Sequence, residues 1–310
     1  MNLFLIVLMA AALSGFEDFR RIDRTRRFTG QMLTAELLQV SQMDAGLILR
    51  TTQQHPDDPK ILWGAAELLV DWSQRRTLYE LALERSGTNA GMAVRFACAA
   101  AQQHDYDIAL AWLHNCQKLD ADNTVPWLAE LWLLRPTVLS NSPPIWTTNF
   151  RDYSIEASGG RIRTLEAAGY SPYAARRLGF SPDSPAISMA RDLCKPPAAE
   201  QTATLLKDTA QSLQRRPPFL LWEFVGQTIE RALMTRRPDV DTSVEVHYRS
   251  VEMDKRREEL KHLLTDIERN TIDYANEAEM VRYFDDVLDI GEEAAMKKLA
   301  ETVRRQTAPK

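Results

Sequence analysis

The amino-acid sequence predicts an all-helical protein: an α-helical hairpin solenoid followed by an irregular helical C-terminal region. Three observations lead there. Apolar residues recur at the three-and-four spacing of one helical face through most of the chain. Polar breaks at His55, Asn89 and Asn123 recur at intervals of about 34 residues, so that helices of similar length come in pairs. Runs of alternating β-branched residues are few, and Gly accounts for only 12 of 310 residues, which leaves strands without a place.

The first element is an apolar run from Leu3 to Leu13, followed by Ser14, Gly15 and Phe16 before Glu17 restores polarity. It is shorter than a membrane span of about 20 residues and matches the core of a secretory signal. Ala12, Ser14 and Gly15 offer cleavage positions. Against export, no Lys or Arg precedes the run, while Arg20, Arg21, Arg24, Arg26 and Arg27 follow it. Residues 1–16 are read as a signal-like or anchor segment, with a hydrophobic first helix buried against the solenoid as the alternative. The first reading makes the protein exported or membrane-associated, periplasmic if bacterial; the second makes it cytoplasmic.

Met32 to Val40 and Ala45 to Thr52 form a helical pair, ended by the stop and restart of His55, Pro56, Asp57, Asp58 and Pro59. Ile61, Leu62, Ala65, Leu68, Leu69 and Trp72 share one face, and Leu78, Leu81 and Ala82 begin a second stripe. From Ala90 to Asn123 two amphipathic stretches are joined by a polar turn at His104 to Asp107 and closed by an Asp/Asn loop. Thr124 is placed to cap the next helix, with Pro126 in its first turn; Glu130 then interrupts the apolar pattern.

The segment Ala90 to Asn123 resembles one tetratricopeptide repeat. Ala97, Ala109 and Cys116 supply the small side chains where two such helices cross, and Phe96 and Leu113 take the larger filler positions. Ala93, Ala100 and Ala121 stand where the family commonly has Trp, Tyr and Pro. The resemblance extends over residues 28–135 as three hairpins and a degenerate fourth helix. It implies a concave groove lined by the first helix of each hairpin, and places Val94, Cys98, Ala101 and Gln102 on it. With Val94 and Cys98 at two positions of the family's basic carboxylate clamp, a ligand there is held by shape and apolar contact. Ala101→Arg is expected to block that groove with the fold intact.

Beyond Pro136 the pattern is broken by Pro143 with Pro144, Pro196 with Pro197, and Pro217 with Pro218. Ser171, Ser181 and Ser184, each before a proline, read as helix starts in an irregular helical region over residues 145–239. Tyr173 to Leu178 makes a short helix ended by Gly179; Leu205 to Leu213 and Leu220 to Met234 make longer ones. Residues 243–306 hold the C-terminal helices. Val244, Tyr248, Val251, Leu260, Leu263, Leu264 and Ile267 form one broken stripe, with Glu252 and Arg256 spaced for a surface pair, and Val281, Phe284, Val287 and Leu288 form another before a cap at Gly291.

A net charge of −5 argues against broad nucleic-acid or anionic-membrane binding by the chain as a whole, and the clusters at Arg20 to Arg27 and at Arg161, Arg163, Arg176 and Arg177 read as solvated faces and ion pairs. The seven Trp read mainly as core packing. Cys98, Cys116 and Cys194 lack metal-ligand spacing, as do the five His. Ser158, Gly159 and Gly160 lack the Lys and strand of a phosphate loop. No catalytic, cofactor or metal residues are assigned. The function this supports is a non-enzymatic scaffold or adaptor for a protein or peptide partner, with membrane association through residues 1–16 if they act as an anchor. The alternative is a carbohydrate-active enzyme on an α/α superhelix or toroid, for which no acid/base pair stands out.

Overall fold

Helix caps decide where this chain turns. Asp58, Asn89 and Asn123 each leave the helical conformation and accept backbone N–H bonds from the turn that follows. From Asp58 to Asn89 is 31 residues and from Asn89 to Asn123 is 34. The sequence reading put the last of these caps at Thr124. The structure moves it to Asn123, because that side chain does two jobs: Oδ1 accepts from the N–H groups of Val125 and Arg151, at 3.1 and 3.0 Å, while Nδ2 donates to the Arg151 carbonyl at 2.6 Å.

The structure, a computed structural model, describes residues 45–87, 89–134, 149–181, 184–194, 200–215, 217–234, 243–270 and 275–307. The readings for residues 1–16 and for Met32 to Val40 fall outside them. The described residues form fourteen helices and no strand, as an all-helical protein requires. They are α1 (Ala45–Gln54), α2 (Pro59–Leu68), α3 (Trp72–Ser86), α4 (Ala90–Gln102), α5 (Tyr106–Leu119), α6 (Thr124–Leu133), α7 (Ser154–Ala167), α8 (Pro172–Gly179), α9 (Pro185–Leu193), α10 (Glu200–Arg215), α11 (Leu220–Met234), α12 (Ser243–Asn270), α13 (Glu277–Ile290) and α14 (Glu292–Thr307). None of them is long and apolar enough to cross a membrane.

Short loops join α2 to α3 and α4 to α5, and each pair packs side by side. The stripe from Ile61 to Trp72 is therefore split, with Trp72 opening a new helix. Asp71 caps that helix by accepting from the Gln74 N–H at 3.0 Å, and Arg75 Nε donates to the Ala66 carbonyl at 2.9 Å, closing the end of α2. In the second pair Ala97, Ala109, Cys116, Phe96 and Leu113 are all fully buried, as their small and large volumes suggested. Glu130 is also fully buried on α6, where Gln117 Nε2 of α5 donates to it at 2.5 Å.

The helix that organises the packing was not foreseen as one. Ser158, Gly159 and Gly160 are the middle of α7, which lies along α2. A Cβ on Gly64 would run into the Gly160 carbonyl, and one on Gly160 would sit 3.2 Å from the Lys60 carbonyl oxygen, so the two backbones touch. Thr164 Oγ1 donates across this contact to the Ile61 carbonyl at 3.0 Å. α7 also reaches α4, and α9 packs on both α4 and α6. The described residues from Gly46 onward thus belong to one compact unit, with α7 and α9 folded back onto α2, α4 and α6.

Of the remaining caps, Ser171 and Ser184 accept from the N–H groups of Ala174 and Ile187 and Gly291 ends α13 at φ +85°, whereas Ser181 starts no helix, its carbonyl being taken by Ser158 and Arg161, and Gly179 is the last residue of α8 with Phe180 as its cap. The stripe on α12 is corrected. Leu260 and Ile267 are buried, but Tyr248 and Val251 are 67% and 53% exposed, being on another side of the helix. Arg256 does not pair with Glu252; it reaches Glu223 on α11 and Glu293 on α14, while Glu252 takes Arg249.

Gly64→Ala should destabilise the protein by about 3 kcal/mol, because the added carbon must push two backbones apart. Urea unfolding of the variant against the wild type measures this, and a midpoint within experimental error of the wild type would refute the close crossing.

Candidate functional site

The residues assigned to a concave groove are mostly interior. Val94, Cys98 and Ala101 are 1%, 1% and 0% exposed, and only Gln102 reaches the surface. The reason is that α4 is buried on all sides from Gly91 to Ala101, surrounded by α3, α5, α6, α7 and α9. Along that stretch Val94, Cys98 and Ala101 are all turned into the protein, and no inner face is left for a ligand. Ala101→Arg would therefore place a charged side chain in the core. Cys98 and Cys116 are free thiols; burial pushes Cys98 up to about 12 and raises Cys116 further, which keeps both protonated and unreactive.

Beside α4 lies a buried ionic network. Glu67 of α2 accepts from Arg95 Nε at 2.9 Å, from Arg95 Nη2 at 2.6 Å, from Tyr79 Oη at 2.7 Å and from Arg161 Nη1 at 3.3 Å. Arg95 Nη1 lies 3.7 Å from Asp152, which also accepts from the Ser154 N–H and hydroxyl. Arg161 Nε donates to the Gly179 carbonyl at 2.6 Å, tying α7 to the end of α8. Two carboxylates and two guanidiniums balance in charge. Burial alone would raise the Glu67 carboxyl, but Arg95, then Arg161 and Tyr79, override it and hold it well below the usual range. Burial pushes Asp152 up, against the lowering influence of Arg95, Ser184 and Ser154. Every one of these acids is held by a partner, an arrangement that fixes helices rather than one that frees a proton donor.

Arg161 belongs to this buried network and not to a solvated basic cluster, which corrects the expectation from sequence. A signal was available: Arg95 is the sole charged residue of α4, and Glu130 the sole one of α6. A lone charge on an otherwise apolar helix implies a buried partner.

The open feature is on the outer side, between α3 and α5 across the start of α4. This groove of about 340 Å³ is lined by Leu83, Ala93, Trp112 and Leu119, with Glu80 and Glu84 at its lip and Asn89 and Asn115 within it. Trp112 is held in place by fully buried Phe96, at a centroid distance of 5.8 Å, and Phe96 in turn stacks on Tyr79 at 5.1 Å. Leu119 is 39% exposed, and the Asn115 side chain makes no hydrogen bond to another described residue. A wider hollow over Gln54 to Lys60 and Arg163 is polar and shallow, and its Asp58 is already engaged by Arg163 and by the α2 cap. Among the described residues no cluster of His, Cys, Asp and Glu could hold a metal ion.

No protein-family model, no curated protein and no solved structure matches this chain. The class that the structure defines is therefore that of all-helical proteins.

Two outcomes are expected. Ala101→Arg should lose cooperative unfolding or fail to fold, read by circular dichroism and thermal melting; an intact melt would mean that α4 is not enclosed. Glu67→Gln should cost about 3–5 kcal/mol, since it leaves two buried guanidiniums short of their carboxylate. Its pH dependence follows from the lowered carboxyl. The unfolded chain takes up a proton near 4.5 while the folded chain resists it, so the Glu67 contribution is present above that pH and lost as the pH falls below it. Asp152 acts in the opposite sense. The variant should accordingly show a shallower loss of stability toward acid than the wild type, and parallel profiles would remove Glu67 as the cause.

Proposed function

We propose that this protein is a non-enzymatic helical binding module, built in the manner of a helical repeat, that takes a peptide or short helix of a protein partner in the outer groove between α3 and α5. The observation that carries this reading is the groove itself: an apolar floor with a tryptophan packed against the core, next to an amide with no hydrogen-bond partner among the described residues. An anchor of this kind combines area and low entropy loss, the properties of an interface centre. The lip carboxylates of Glu80 and Glu84 favour a ligand with an aliphatic anchor and a basic flank. Binding moves from the inner to the outer helices because helices from later in the chain cover the inner ones.

The experiment is selection of peptides from a random library on the purified protein, followed by affinity measurement on Leu119→Asp. Leu119 is at the surface, so the variant should keep its helical content. Peptides selected on the wild type should bind it at least about tenfold more weakly, as expected for loss of an apolar anchor contact. Equal affinity for the variant would show that the groove is not the site.

A further inference from the structure

α11 and the first half of α12 meet through charge instead of an apolar seam. On α12, Arg249, Met253, Arg256, Leu260, Leu263 and Ile267 follow one another at alternating spacings of four and three, the pattern of a helix-packing seam. Leu260, Leu263 and Ile267 join Leu220, Met296 and Ala300 in an apolar cluster. The two arginines instead reach carboxylates on α11. Arg256 Nε and Nη2 donate to the two oxygens of Glu223 at 2.7 and 3.0 Å, and Arg249 Nε donates to Glu230 at 3.0 Å. The helices are antiparallel here, because the earlier arginine takes the later glutamate.

Gln227 falls between these two carboxylates on the same face of α11. It is 1% exposed, and its Oε1 has no hydrogen-bond partner. Level with it on the α12 seam, between Arg249 and Arg256, is Met253, which has no donor to offer. An acceptor buried without a donor is unfavourable, and a helix that supplied one would remove that penalty.

We propose that the Glu223, Gln227 and Glu230 face is a docking seat for a basic partner helix with donors at i, i+4 and i+7, and that α12 occupies this seat in cis as an incomplete substitute. The pattern of holding forces supports exchange. The first half of α12 is kept in place largely by ion pairs, Arg249 with Glu230 and Arg256 with Glu223 and Glu293, whose arginines are part-exposed and so open to screening by salt, with Met253 as its buried apolar contact. The second half has the apolar cluster, so α12 can release its first half while remaining attached.

The test uses the wild-type full chain and two labelled 28-residue peptides, one with the α12 sequence and one with Met253→Gln, a change of similar size that adds an amide donor. Both should bind at low salt and weaken as NaCl is raised, and the Met253→Gln peptide should bind about fivefold more tightly, as one additional buried hydrogen bond implies. Binding should also increase hydrogen exchange over residues 249–256 of the chain's own α12, which reports displacement from the seat rather than attachment elsewhere. Equal affinities, no binding at low salt, or binding that leaves that exchange unchanged would each overturn the proposal.

Discussion

The Glu67 carboxylate is the point on which the packing of the first helices depends. It follows Gly64 by one helical turn, and Arg161 follows Gly160 by one residue, so the backbone crossing and the ion pair are two expressions of one contact between α2 and α7. Neither can shift alone. Sliding α7 along α2 would bring a carbonyl against a Cβ and also leave Glu67 short of a guanidinium. Buried ion pairs add little net stability compared with well-packed apolar groups. What this one supplies is register, since its alternatives leave charges buried without partners.

That arrangement has a consequence for surfaces. Because α7 and α9 close over α4, the residues from Val94 to Ala101 contribute nothing to the inner surface, and only Ala93 borders the outer groove. The influence of α4 on the outside is otherwise indirect: Phe96 passes through the pair to hold Trp112, so the outer groove inherits the rigidity of the core. The opposite end of the chain behaves differently. Around α12, long side chains span the gap between helices and leave the Gln227 oxygen without a donor.

Much of the helix pattern was legible in the sequence because local chemistry sets it. Ser171 and Ser184 before proline, the span Leu220 to Met234, and Gly291 at the end of α13 were all readable from a few adjacent residues. The errors share a different cause. Leu68, Leu69 and Trp72 keep helical spacing across a loop, and periodicity alone does not register that Asp71 starts a new helix. Gly159 and Gly160 look like a break, and only the distant Gly64 explains why a helix carries them. The register that put Val94, Cys98 and Ala101 on one face says nothing about what covers that face, since the covering helices α6, α7 and α9 come later in the chain. The outer groove was invisible for a similar reason: Leu83, Ala93, Trp112 and Leu119 come from three helices, and none stands out within its own.

Glu67 and Arg161 are separated by 94 residues along the chain. During synthesis at about 5–20 residues per second, the first of them is therefore made roughly 5–20 seconds before the second. For that interval α2 has an acid with no Arg161 to meet it and a glycine with no backbone to lie against. The contact that sets the register of the early helices is therefore completed only once α7 has been made, and the length of that delay is set by the distance along the chain between two residues rather than by the strength of any contact.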